Sequence, residues 1–287
     1  MTSLTLAEPP SLGRLYVEAL ATARGRHGGT LPDTELVLGP VEVDRDRLAV
    51  YEQACGFRVG DRLPPTYLHV LAYPLQMRLM TDRAFPFALP RVVHLRNVVT
   101  QRRPVDAGER PTLQVRAERL ARHPKGATVD LVADATVEGE LVWVGRSTYF
   151  FRGAEAPEGT AYDEDPLPDP VLPERATALW AVPADTGRRY AKVSGDINPI
   201  HLNPLAAKAA GFPRTIAHGM WSATRCLAAL EGRLPDAFTA DVLFAKPLLL
   251  PSRVELLTAR RADGWDLGLR AASDGRTHLL GTVRAAS

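Results

Sequence analysis

One succession of signals runs through this chain twice: a strand-like stretch, a short helical piece, a longer apolar helix, then several strand-like stretches. In the first half a strand is expected from Glu35 to Val43 and a short helix around Arg47 to Ala54. After Pro64-Pro65, Thr66 can cap a helix to about Met80, with Leu68, Leu71, Leu75 and Leu79 at helical spacing and a kink expected at Pro74. Strands are expected at Val92–Val99, Thr112–Leu120, Thr128–Val137 and Leu141–Phe151. The second half offers a strand at Ala176–Val182, a short helix at Thr186–Ser194 ending on Gly195, and a brief helix opened by Asn203-Pro204 and stopped by Gly211. Ile216, Met220, Ala223, Leu227 and Leu230 mark a long apolar-faced helix, and strands follow at Ala240–Ala245, Arg253–Arg260, Trp265–Ala271 and Thr277–Val283. A basic-Pro pair precedes a strand in both halves, Arg103-Pro104 and Lys246-Pro247. One helix wrapped by antiparallel strands, made twice, is an α+β plan of two related units.

Between the halves, Gly153 to Glu174 carries five prolines and the acids Glu155, Glu158, Asp163, Glu164, Asp165 and Asp169, with no apolar period. It reads as a connector. The expected division is therefore residues 1–152, a connector over 153–175, and residues 176–287.

Lys and Arg number 35 against 33 Asp and Glu, so the overall charge carries no nucleic-acid footprint. Two cysteines, Cys55 and Cys226, suit a reducing compartment better than a disulfide framework, and both are expected to be structural. The N-terminus is interrupted by Glu8, Pro9, Pro10, Arg14 and Glu18, unlike a secretory signal, and no apolar run is long enough to span a bilayer. A cytoplasmic protein is expected.

The chemistry concentrates in Tyr190-Ala191-Lys192-Val193-Ser194-Gly195-Asp196-Ile197-Asn198-Pro199-Ile200-His201. Gly195 permits a positive φ, and Asn198 is biased away from the α region by Pro199, so the backbone bends where the polar groups lie. Such a bend can aim the Asp196 carboxylate and the His201 imidazole at one small volume. Taken alone, Asp196 could cap a turn, Asn198-Pro199 could open a helix, and His201 could be a satisfied histidine.

This pattern, with Ala217-His218-Gly219-Met220 after it, resembles the MaoC-like, R-specific enoyl-thioester hydratase (hydratase 2) family. The motif covers only the C-terminal half. The Pro-Pro-Thr-Tyr helix start and the basic-Pro echo resemble its longer two-unit members, particularly actinobacterial 3-hydroxyacyl-thioester dehydratases. The resemblance implies a double hotdog fold and reversible hydration of trans-2-enoyl thioesters of coenzyme A or acyl carrier protein to (R)-3-hydroxyacyl thioesters, within fatty-acid metabolism. It also implies that Asp196 and His201 hold the water, and that the amide of Gly219, near a helix N-terminus, binds the thioester oxygen. Which of the two is base is left open, because coupled groups titrate as a pair.

Asn198 is expected to fix the bend and to orient Asp196 or the substrate, and Ser194, without a nucleophile elbow around it, belongs to the binding loop. His218 is expected mainly to be structural at the helix start, beside the substrate. A metal held by Asp196, His201 and His218 is improbable, since the spacing is not a usual zinc pattern and water addition needs no metal; no cofactor is expected.

The first half reads Tyr51-Glu52-Gln53-Ala54-Cys55-Gly56 at the corresponding place and lacks the Asp-x-Asn-Pro-x-His pattern. It is expected to be a degenerate copy that completes the sheet and shapes an acyl tunnel. Tyr67, Leu71 and Pro74 are candidate tunnel residues, with a plain core role weighed above that. Arg188, Arg189, Lys208 and Arg214 could rim the carrier end but read as solvated charges. The rival readings are a hotdog acyl-thioesterase and a non-catalytic acyl-thioester-binding protein. A monomer that is itself a pseudo-dimer, or a homodimer of such chains, would fit the plan.

Overall fold

The computed structural model describes residues 2–21, 26, 28–89, 92–163 and 165–286, so Glu164 of the connector lies outside the described residues. The chain packs as two compact units. The first comprises Met1–Val43, Leu68–Asn97 and Gly108–Pro166, and the second Asp44–Tyr67, Val98–Ala107 and Leu167–Ser287.

In the first unit β1 (Thr2–Leu6) and helix α1 (Leu12–Ala21) precede β2 (Thr34–Leu38). Helix α3 (Tyr67–Thr81) is followed by β3 (Val92–Gln101), β4 (Thr112–His123), β5 (Gly126–Val137) and β6 (Glu140–Arg152). Sheet order is β1-β2-β4-β5-β6-β3. Only β1 with β2 is parallel among the registers β1/β2, β2/β4, β4/β5 and β5/β6. Leu68, Val70, Ala72, Leu75, Met77, Leu79 and Met80 of α3 are all buried, which no single helical stripe could produce. The helix is enclosed on most sides, as the central helix of a hotdog must be. Pro74 lies inside it.

The strand expected over Glu35–Val43 is shorter, ending at Leu38. The next residue, Gly39, has φ 154°, and a Cβ there would stand 2.7 Å from the Thr112 Cα, so the chain turns away against β4.

In the second unit α2 (Arg45–Cys55) precedes β7 (Ala178–Val182), α4 (Thr186–Ser194), α5 (Pro199–Leu202), α6 (Pro204–Ala209) and α7 (Gly219–Ala228). Strands β8 (Phe238–Phe244), β9 (Ser252–Arg261), β10 (Gly264–Ala271) and β11 (Thr277–Ala285) complete it. They order as β8-β11-β10-β9-β7, every pairing antiparallel. From Val98 onward β3 counts with this unit, where Thr100 Oγ1 and Thr239 Oγ1 on β8 are 3.0 Å apart.

The helix expected to begin near Ile216 begins only at Gly219. Ile216 is held in a bridge to Leu249, Ala217 N–H donates to the Leu248 carbonyl, and His218 is extended at φ −65°, ψ 139°. Backbone pairing therefore wins over the apolar period at Ile216 and Ala217, and His218 becomes the N-cap.

The proline-rich connector is strapped down rather than loose. In the first unit Arg119 meets both Asp163 and Asp165 at 2.9 Å, and Asp163 also accepts from Thr128 Oγ1. Past Pro166, Val171 N–H donates to Asp266, Arg261 donates to the Val171 carbonyl, and Arg270 donates to the Glu174 carbonyl, all within the second unit. Among the described residues no helix is long and apolar enough to cross a membrane.

Candidate active site

Helix α4 stops at Gly195, whose φ of 78° is one an L side chain rarely adopts, and its N–H closes on the Ala191 carbonyl. Three side chains then take over the backbone in steps of two residues. Ser194 Oγ accepts from the Asp196 N–H at 3.2 Å, Asp196 Oδ1 from the Asn198 N–H at 3.2 Å, and Asn198 Oδ1 from the Ile200 N–H at 3.3 Å. Successive side-chain turns of this kind fix an irregular stretch that has no ladder of its own. Asn198 is the N-cap of α5 and Pro199 its first residue, which swings His201 inward. The approach of α5 to α4 requires Gly187, because a Cβ there would lie 2.3 Å from the His201 carbonyl oxygen.

His201 is 8% exposed, and its Nδ1 lies 2.8 Å from the Ile216 carbonyl. A carbonyl only accepts, so Nδ1 carries the proton and Nε2 keeps its lone pair. Burial lowers the His201 pKa, against the opposing pull of Asp196. His218 stacks on His201 with ring centroids 3.7 Å apart, and its Nε2 donates to the Asp196 backbone carbonyl at 3.0 Å. Burial, reinforced by His201 beside it, lowers His218 to about 3. The 3.8 Å approach of its Nε2 to the Asp196 carboxylate is thus a contact of a neutral ring with a carboxylate, not an ion pair. Its Nδ1 is buried without a protein partner.

Donor atoms of Asp196, His201 and His218 all lie within 4.8 Å of one another, a set that could close on a cation. The backbone bonds leave each imidazole only one nitrogen for such a role. Gly219 opens α7 directly after His218, and the first amides of a helix have no intrahelical acceptor. A Cβ at Gly219 would stand 3.1 Å from the Phe244 ring, so the position has room for a peptide and little more.

The structure thus brings together Asp196, His201, His218 and Gly219, with Ser194 and Asn198 in the same loop. Tyr67 is reached through rings: Tyr190 lies 5.0 Å from His218, Tyr51 6.1 Å from Tyr190, and Tyr67 5.0 Å from Tyr51. The Tyr67 hydroxyl is buried with no protein partner, and desolvation pushes its pKa up to about 12. Leu71 is half-buried on α3 and packs with the first unit. Arg189 is paired with Asp185, and Arg214 donates to the Pro251 carbonyl. Both cysteines are buried, and desolvation raises both thiols, Cys226 to about 12, which fits a packing role.

Several supports carried no sequence signal. Arg47 of α2 donates through Nε to the Val193 carbonyl at 2.8 Å, capping the C-terminal turn of α4 immediately ahead of Asp196. Tyr51 Oη lies 2.9 Å from Thr66 Oγ1 and 3.3 Å from Thr224 Oγ1 on α7, and Trp221 Nε1 donates to the Ala54 carbonyl. The parallel between Tyr51-x₄-Gly56 and Tyr190-x₄-Gly195 is the one pattern from which this support could have been found.

A carboxylate and two imidazoles gathered beside the N-terminus of a helix are an arrangement suited to acid–base chemistry. The model of the MaoC like domain matches residues 167–263. The 3-hydroxyacyl-thioester dehydratase X of Mycobacterium tuberculosis is 41% identical over 258 residues, covering 88% of this chain and 90% of that protein. The crystal structure of HtdX from the same organism superposes with a TM-score of 0.77 at 38% identity, over 88% of this chain and all of that one. A MaoC-like dehydratase from Phytophthora capsici, 17% identical, shares the fold over 90% of this chain and 96% of its own, with a TM-score of 0.73. The chain belongs to the MaoC-like dehydratase family.

Proposed function

We propose that this protein catalyses the reversible dehydration of (R)-3-hydroxyacyl thioesters to trans-2-enoyl thioesters, a hydro-lyase reaction of fatty-acid metabolism. One observation carries the reading: a buried imidazole whose Nδ1 is held by a carbonyl shares one small volume with a carboxylate at a helix N-terminus. In hydration, water held by Asp196 and His201 adds its oxygen to C3 while C2 gains a proton. In dehydration, one of the pair takes the C2 proton and the other protonates the departing C3 hydroxyl. The negative charge that develops on the thioester oxygen is met by the Gly219 amide and the α7 dipole. Ser194 and Asn198 hold the loop, and His218 fixes the Asp196 backbone beside the substrate.

On the same reading residues 1–152 form a degenerate hotdog unit that receives acyl chain, with Tyr67 and Leu71 lining its path. Residues 153–175 connect it to a catalytic unit, residues 176–287. The carrier is coenzyme A or acyl carrier protein, the setting cytoplasmic, and the particle a pseudo-dimeric monomer or a homodimer.

The test follows enoyl-thioester absorbance for wild type, Asp196→Asn and His201→Ala, with products resolved by hydroxyl configuration. An (R)-product whose formation falls about 10²–10⁴-fold in each folded variant supports the assignment. Turnover undiminished in both variants, or release of free thiol in place of hydration, refutes it.

A further inference from the structure

The interior of the first unit is not the apolar filling that a purely supporting copy would need. His69, Tyr73 and Gln76 follow one another on α3 at spacings of four and three, which puts them on one face of the helix. Neighbouring strands β3 and β6 contribute His94 and Tyr149. The rings of His94 and Tyr149 stack at 4.6 Å and 24°, His69 lies 6.1 Å from His94 and nearly parallel to it, and Tyr73 lies 6.4 Å from His69. The Tyr149 hydroxyl donates to Gln76 Oε1 at 3.3 Å, and the Tyr73 hydroxyl meets that of Tyr16 at 2.8 Å.

Gln76 is fully buried, and its Nε2, with two N–H donors, has no protein partner. Turning the amide over does not remedy this, because Tyr149 can serve only one end of it. A buried amide left half-satisfied costs free energy, and Leu or Met at this position would have avoided that cost. Leu75 and Leu79 of the same helix show the ordinary solution.

We infer that Gln76, with His69, His94 and Tyr149 around it, forms a binding site in the first unit for a hydroxyl or carbonyl oxygen carried on an acyl chain. The oxygen accepts from Gln76 Nε2, and the face of Tyr149 turned away from His94 packs the adjoining methylenes. The inference rests on the acyl-thioester reading above and extends it: the preferred substrate bears an oxygen away from the reacting carbons.

The experiment uses trans-2-enoyl-CoA thioesters of matched length, with and without one hydroxyl or keto group, its position moved along the chain. Wild type is compared with Gln76→Leu for turnover, for binding by calorimetry and for melting temperature. At one position the oxygenated substrate is expected to gain about tenfold in kcat/KM over its plain partner, the scale of one added hydrogen bond. In Gln76→Leu that ratio falls to one or below, while the melting temperature is unchanged or higher. A ratio that is the same in both proteins at every position overturns the inference, and a lower melting temperature beside it assigns Gln76 to the core. Turnover of plain thioesters without oxygen preference leaves the reaction standing and removes only this site. Gln76-dependent binding without turnover does the reverse, and absence of both binding and turnover removes both.

Discussion

His218 gives the protein a specific weakness to acid. Its imidazole is buried against Tyr190 and His201, and burial lowers its pKa from 6.5 to about 3. Below pH 6.5 the unfolded chain binds a proton at this residue that the folded chain refuses. Stability from this site is therefore complete above pH 6.5 and lost as pH falls towards 3. One proton is worth about 1.4 kcal/mol per pH unit, so about 2 kcal/mol is lost by pH 5 and on the order of 4–5 kcal/mol by pH 3. His201, also lowered by burial, adds a loss of the same sign. The substitution that isolates the effect is His218→Gln, which removes the titration while its amide can still donate to the Asp196 carbonyl. Urea unfolding at pH 7 and pH 5 should show wild type losing about 2 kcal/mol more than the variant, whatever the variant's stability at pH 7. His218→Asn gives the same difference if the first variant folds poorly. Parallel pH dependence in wild type and both variants would mean that His218 titrates normally in the folded state, and the argument from burial would fail.

The same burial keeps the His201 Nε2 lone pair available in mild acid, so the acid limb of kcat/KM set by His201 should fall below pH 6.5; a limb above 6.5 assigned to His201 by its variant would contradict this. Gly219→Ala drives a methyl against the Phe244 ring and displaces the amide, and kcat should fall about 10²–10³-fold with little change in far-UV circular dichroism. Arg47→Ala leaves the Val193 carbonyl without its cap, lowering stability by about 1–2 kcal/mol by denaturant and reducing kcat more than it alters KM. Arg119→Ala releases Asp163 and Asp165, so limited proteolysis should cut the connector faster than in wild type while turnover persists.

What the sequence made legible was whatever local chemistry decides. The end of α4 at Ser194 followed from Gly195, and the start of α6 followed from Asn203-Pro204, because positive φ and proline act on their own residue and its neighbour. The strand order was not legible: β8-β11-β10-β9-β7 is settled by which edges find partners far along the chain. Ile216 and Ala217 show the conflict directly, since the apolar spacing suits a helix while the Ile216 N–H donates to the Ile200 carbonyl and the Ala217 N–H to the Leu248 carbonyl. At the site the spacing could bring Asp196 and His201 near one another, but could not give the tautomer of His201, which depends on a carbonyl fifteen residues away. Nor could spacing show that His218 holds the Asp196 carbonyl rather than a substrate atom.

Helix α2 has a role that is missed when the loop after α4 is viewed alone. Helices α2 and α4 both open after an aspartate, Asp44 and Asp185, and both close on a left-handed glycine, Gly56 with φ 82° and Gly195 with φ 78°. The residue directly after that glycine differs, Asp196 after α4 and Phe57 after α2. Having no acid to present, α2 is free to act as support, and it packs with the second unit. Its Arg47 caps α4, its Tyr51 joins Thr224 of α7 to Thr66, and its Ala54 carbonyl receives Trp221. A loop made of three consecutive side-chain turns has little cooperative strength of its own, and acid–base geometry tolerates little displacement. Tying α4 and α7 to α2 supplies the rigidity the loop lacks. Substitutions confined to Arg45–Cys55 are therefore expected to lower kcat by loosening α4 and α7, although no residue of α2 lies in the loop that carries Asp196 and His201.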